Sequence, residues 1–199
     1  KQIVDERRPI TYGIVQCGPD LGEGVPYVRP VDMTDEGGVD MGSIQFTSEE
    51  IATPYARSTL EEGDLVVSIG PSFGKVMCIP TELEGGNLTQ GTARVAVDTN
   101  HHTDFFFWAM RSSPMNQQWE SVAQGATFPA LNLVPLWNSY VPVPPLEEQI
   151  EIAAYLRKET SIIDQITSAI ANEIERLKEY RTALISAVVT GKIDVRGLA

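Results

Sequence analysis

The segment Gly70-Pro71-Ser72-Phe73-Gly74-Lys75-Val76 carries the glycines and the lysine of a phosphate-binding loop. It fails that chemistry twice: one residue is missing between the glycines, and Val76 stands where a Ser or Thr would hold magnesium. No G-x-G-x-x-G follows a strand-like run, and Val143-Pro144-Pro145-Leu146 lacks the polar residue and aromatic ring that an amino-methyltransferase sets around its Pro-Pro. His101 and His102 are adjacent, so in extended chain they face opposite ways and cannot chelate one metal together; a solvated turn after Asn100 is their expected place. Cys17 and Cys78 have no partners at metal-ligand spacing and read as buried thiols of a cytosolic protein. The carboxylates offer no pair spaced as a general acid and base. Asn87-Leu88-Thr89 matches a glycosylation sequon and is discounted without a leader peptide. No catalytic, metal or cofactor residue is therefore expected in this chain, and an enzyme with an unfamiliar acidic site ranks behind two binding functions described below.

Two segments of different grammar must position whatever the chain recognises. From residue 1 to 143, short runs rich in Val, Ile, Phe and Tyr are bounded by turn residues: Thr11–Gln16, Tyr27–Val31, Ser43–Phe46, Asp64–Ile69, Val76–Ile79, Arg94–Val97, Phe105–Trp108 and Tyr140–Val143. These predict strands. Helical interruptions are expected over Ser48–Ala56, opened by a Ser cap ahead of Glu49 and Glu50, and over Phe106–Ser121. The fold class is α+β: a mixed, mainly β globule followed by a long helix.

Pro144 and Pro145 mark the change, because a proline suits a first helical position and pushes its predecessor to extended backbone. Glu147, Glu148 and Glu151 then complement the helix dipole, and neither Gly nor Pro recurs until Gly191. Leu156, Ile163, Ile170, Leu177 and Leu184 recur at spacing seven. Ile166, Ile174 and Tyr180 widen this seam into a stripe that suits packing on more than one partner. A helix covering its own domain would carry a stripe too. The length argues otherwise: about 45 residues make a rod of about 65 Å, longer than such a globule is wide, and a break near Glu159–Ser161 would still leave about 42 Å. The expected domains are thus 1–143 and 144–199.

The chain has 199 residues, with 15 Lys and Arg against 27 Asp and Glu, for a net charge of −12. Residues 1–144 hold −10 of it. That balance disfavours a protein that grips nucleic acid alone by neutralising phosphates. Without a run of 18 apolar residues or a basic, apolar leader, a soluble cytoplasmic protein is expected, with no membrane partner. A start at Lys1 fits a trimmed chain or a piece of a longer one.

Val141-Pro142-Val143-Pro144-Pro145-Leu146-Glu147-Glu148-Gln149-Ile150, followed after a long helix by Leu177-Lys178-Glu179-Tyr180-Arg181-Thr182-Ala183-Leu184-Ile185-Ser186-Ala187-Val188-Val189-Thr190-Gly191-Lys192-Ile193-Asp194-Val195, closely resembles the end of the specificity subunit of type I restriction-modification enzymes. Val28-Arg29-Pro30-Val31-Asp32-Met33, Glu62-Gly63-Asp64-Leu65-Val66-Val67-Ser68-Ile69 and Gly86-Asn87-Leu88-Thr89-Gln90 look more loosely like the framework of its target-recognition domains.

The resemblance implies a division of labour. Each globule of such a subunit reads one half of a bipartite site in double-stranded DNA, and two helices pack antiparallel as a spacer. Methyltransferase subunits bring S-adenosylmethionine, and restriction subunits bring ATP- and magnesium-dependent translocation and cleavage. This sequence holds one globule and one helix, so it would pair with a second copy of itself or with another target-recognition half. Base readout needs Arg, Asn, Gln, Ser or Thr on loops. The candidates are Arg29, Ser72, Lys75, Thr89, Gln90, Thr92, Arg94, Gln124 and Thr127, with Arg57 and Arg111 among the other scarce cations of the acidic segment. The Ser72–Lys75 and Thr89–Arg94 loops are favoured, since each sets a cation beside close-approach glycine backbone. The competing reading is a scaffold that binds no DNA, whose helix assembles protein partners.

Overall fold

The computed structural model describes residues 2–70, 72–123 and 130–196. The chain divides into two compact units, residues 1–153 and 154–199. The first unit thus includes the opening turns of the long helix, beyond the expected boundary at Val143.

Among the described residues, seven strands form two sheets. β1 (Thr11–Tyr12), β7 (Thr92–Val95), β4 (Leu65–Ser68) and β5 (Val76–Cys78) make a four-stranded antiparallel sheet in that order. β3 (Gln45–Thr47), β2 (Val25–Val28) and β6 (Asn87–Leu88) make a second, in which β2 pairs antiparallel with β3 and parallel with β6. Side chains alternate across a strand, and β4 is buried on both faces. Leu65 and Val67 join one apolar cluster with Phe105, Phe106, Met110, Met115, Trp119 and Leu136. Val66 joins another with Val28, Met33, Met77, Ile79 and Leu88. The continuous apolar run Leu65-Val66-Val67 follows from that double burial.

The helices of the first unit are α1 (Glu49–Ala52), α2 (Thr103–Met110), α3 (Ser113–Val122) and α4 (Leu133–Trp137). Ser48 caps α1, its hydroxyl accepting the Ile51 N–H, and a 3-10 turn over Thr53–Ser58 continues it. The strand expected over Phe105–Trp108 is instead α2. Aromatic residues favour strands in isolation, but Phe105, Phe106 and Met110 lie on one helical face and are buried together. Helices α2 and α3 split the helix expected over Phe106–Ser121, with Pro114 in the first turn of α3. The strand expected over Tyr140–Val143 does not form either. Pro142, Pro144 and Pro145 cannot donate to a ladder, and Tyr140 is exposed.

The last helix, α5 (Leu146–Val189), runs 44 residues without a break at Glu159–Ser161, about 66 Å of helix. It ends in a paired-bond C-cap: Lys192 N–H donates to Ala187 O at 2.8 Å, and Gly191 N–H donates to Val188 O at 3.1 Å. Gly191 takes a left-handed φ of +74°, which a side chain would resist. No helix among the described residues is long and apolar enough to cross a membrane.

Candidate nucleic-acid interface

Two loops and the segment at Leu131 meet at the C-terminal end of β4. Ser68 is fully buried; its hydroxyl donates to Ser72 O at 2.8 Å and accepts the Lys75 N–H at 2.9 Å, folding Ser72–Lys75 back over the strand end. Ile69 and Gly70 donate their N–H groups to Gly91 O, which brings the Thr89–Gly91 turn alongside. Leu131 N–H donates to Ile69 O at 2.9 Å, so the chain following residues 124–129 returns to the same place. Gln124 and Thr127 lie outside the described residues.

The rim continues along Pro30–Gly38. Pro30 packs on Gly91, where an added Cβ would sit 3.0 Å from its ring. Lys75 Nζ reaches Met33 O and Asp35 Oδ1, both at 2.9 Å. Asp35, Ser72, Lys75, Arg111, Asn116 and Glu120 help line a cleft of about 440 Å³. Exposed Ser72, Gln90 and Val31 offer hydrogen-bonding and apolar groups of the kinds that address base edges and thymine methyls.

Three expected contacts are buried or already engaged within the unit. Arg94 is 2% exposed in β7, where its guanidinium donates to Thr59 O and Pro9 O and burial lowers its pKa. It props the sheet from within. Thr92 is fully buried, its hydroxyl donating to Val28 O and Thr89 O. Arg29 is engaged by Asp32 through Nε and Nη2 and by Ser43 O at 2.6 Å, a brace that raises its pKa through the Asp32 bond foremost. Asp32 is itself fully buried. Thr89 is partly buried, and its N–H and hydroxyl both reach Val28 O. Of the candidates within the described residues, Ser72, Lys75 and Gln90 keep side chains on the rim. Ser68, Asp35 and Asn116 belong to it without having been singled out.

The expected turn forms at Thr99 and Asn100, closed by His101 N–H to Asp98 O, but the two histidines that follow are half-buried. His101 Nδ1 pairs with Asp98 Oδ1 at 2.8 Å, and His102 precedes α2. Burial resists ionisation of Asp98, yet the bonds from His101 and from Asn100 N–H outweigh it and lower its pKa. Cys17 and Cys78 are only partly buried. Among the described residues, no group of three or more His, Cys, Asp and Glu side chains gathers as a metal site would. Asn87 of the sequon is 2% exposed and bonded to Ser58, Tyr55 and its neighbour Leu88.

Along α5 the apolar stripe stays largely uncovered. Ile163, Ile166, Ile170, Ile174, Leu177, Tyr180 and Leu184 are all exposed, while Leu156 is half-buried. Leaving so many large apolar side chains in water is unfavourable.

A family model described as type I restriction modification DNA specificity domain matches residues 20–176, most of both the strand-rich unit and α5. The chain belongs to this family. It is 28% identical over 195 residues to the specificity subunit of the Escherichia coli type I restriction enzyme EcoBI, covering 98% of this chain and 41% of that protein. It is 24% identical over 173 residues to the specificity subunit of the Methanocaldococcus jannaschii type I restriction enzyme MjaVIII, covering 84% and 40%. The chain therefore spans about two fifths of the curated relatives it matches. Among solved structures, a chain from a study of complex assembly and conformational transition of the type I R-M system aligns with a TM-score of 0.71 at 20% identity, covering 93% of this chain and 44% of that one. The HsdS subunit of Thermoanaerobacter tengcongensis aligns with a TM-score of 0.58 at 21% identity, covering 71% and 37%. These two share the fold.

The segments that resemble the specificity-subunit family have structural roles here. Gln149 of the Pro-Pro-Leu-Glu-Glu-Gln run is 1% exposed and fastens the start of α5 to the first unit. The Thr-Gly-Lys-Ile-Asp run is the C-cap of α5. Asp64 of the Glu-Gly-Asp run takes a two-pronged bond from Arg8.

Proposed function

We propose that the chain is a DNA sequence-recognition element of a type I restriction-modification complex. Its first unit reads one half of a bipartite target, and its helix docks the methyltransferase and restriction subunits. The observation that carries this reading is the family membership over residues 20–176, which takes in both the loop rim and most of the exposed helical stripe. The chain performs no chemistry itself. S-adenosylmethionine, ATP and magnesium belong to the partner subunits, and the complex acts on DNA in the cytoplasm.

The exposed stripe pairs antiparallel with the same stripe of another helix, from a second copy of this chain or from another target-recognition half. A helix of about 66 Å corresponds to roughly two turns of duplex at about 34 Å each, so paired helices set the separation of two reading lobes. The net charge of −12 is compatible with this because partner subunits supply the unspecific grip on phosphates, while rim residues discriminate among bases.

The test is selection of bound duplexes from a randomised pool by the chain assembled with its methyltransferase subunit. Enrichment of a defined motif, altered at some positions by Gln90→Ala or Ser72→Ala, is expected. A pool recovered without sequence preference would leave the scaffold function in its place.

A further inference from the structure

The cleft beside Ser72–Lys75 holds two cations, and one turn supplies acceptors to both. Lys75 Nζ lies 2.9 Å from Met33 O and 2.9 Å from Asp35 Oδ1. Arg111 Nη2 donates to Asp35 O at 2.8 Å, and Nη1 donates to Glu36 O. The turn is pinched shut by Thr34 N–H to Gly38 O and by Gly37 N–H to Thr34 O. A Cβ on Gly37, at φ +89°, would fall on the Arg111 guanidinium and the Phe107 ring, so turn and cation are fitted to each other.

Arg111 has a second support that does not depend on the turn. Its guanidinium carbon lies 4.8 Å from the centre of the Phe107 ring and 5.6 Å from that of Trp108, on the preceding helical turn. The aromatic rings would hold the cation in place with the turn displaced. Asp35, by contrast, is held weakly. Its side chain is 84% exposed, and a solvated ion pair of this kind contributes little to holding a loop. A carboxylate and three carbonyl oxygens around a lysine and an arginine present the kind of acceptor group that a phosphate diester presents. Ser72, exposed on the rim, also lines this cleft.

We infer that Arg111, together with Lys75, grips a phosphate of the DNA backbone, and that the Asp35–Glu36 turn occupies that place until the duplex displaces it. This deepens the recognition function above and rests on it: Arg111 and Lys75 position the duplex, and neighbouring rim residues read it.

The experiment measures binding of the chain, assembled with its methyltransferase subunit, to its target duplex and to duplexes with single base-pair changes across a salt series. Arg111→Gln should weaken binding by a similar factor on every duplex and flatten the slope of log K against log salt by about 1. Asp35→Ala, at an exposed position that leaves folding intact, should strengthen binding several-fold. An unchanged salt slope for Arg111→Gln, a loss confined to one base-pair position, or equal or weaker binding by Asp35→Ala would overturn the assignment while the recognition function stood. An unaltered complex that fails to distinguish its target from the changed duplexes would overturn both.

Discussion

The side-chain oxygen of Gln149 accepts the main-chain N–H of His102 at 2.9 Å, while its amide donates to Pro144 O at 2.7 Å. One buried side chain thereby ties the first turn of α5 to the start of α2 and to the proline corner. Gln149→Leu keeps the volume and removes both bonds, leaving a partly buried N–H and a carbonyl without partners. The expected loss is about 1–3 kcal/mol of stability, read from the midpoint of urea unfolding followed by tryptophan fluorescence.

Arg8 and Asp64 should matter more. Arg8 Nη1 and Nη2 meet the two oxygens of Asp64 at 2.8 and 2.6 Å, with Asp64 only 4% exposed and its Oδ2 also accepting Glu61 N–H. Asp64→Ala strands the arginine and opens the turn leading into β4. Breaking one side of a buried pair costs about 3–5 kcal/mol, and the lower end applies because Arg8 keeps some solvent contact and Glu61. The same unfolding measurement decides it; a change within ordinary surface scatter would contradict the assigned role.

Asp20 makes a pH-dependent contribution. Its Oδ1 accepts Phe46 N–H and Gly22 N–H, both at 3.0 Å, and these bonds lower its pKa. The carboxylate is thus favoured more in the folded than in the unfolded chain. Its stabilisation is complete above the unfolded pKa of about 3.9 and disappears as pH falls through the lower folded value. Asp20→Asn should be less stable than the original chain at pH 7, and the two stability curves should converge below that range.

The stripe on α5 predicts a change in association without a change in folding. Ile170 is 55% exposed. Ile170→Glu puts a charge into the centre of the proposed pairing surface and should weaken helix pairing at least tenfold, about 1.4 kcal/mol. Sedimentation equilibrium reads the association, and the unfolding midpoint of the first unit should not move.

Much of this was legible from residue order where a local rule and the tertiary packing agree. β4 is bounded by Asp64 and Gly70 and packed on both faces, so its apolar run predicted a strand. α5 announced itself through Pro144-Pro145, its acidic first turn and Gly191. The aromatic run of α2 misled because its strand propensity lost to the burial of one helical face. Arg94 and Thr92 misled differently: a cation beside glycine backbone reads as a surface contact, yet register alone placed both inside the sheet. Asp35 and Ser68 join the rim through hydrogen bonds distant in sequence, which no spacing could show. Arg111 carried a faint local signal, Phe107 and Trp108 one helical turn earlier.

The central claim is that this chain selects a DNA sequence for a partner that modifies it. Coexpression with its methyltransferase subunit in a methylation-free host, followed by genome-wide mapping of methylated adenines, tests it most directly. A single bipartite motif is predicted, palindromic if two copies act together, and its sequence should change when the rim residues are exchanged. Methylation that is absent, or that ignores those residues, would contradict the account.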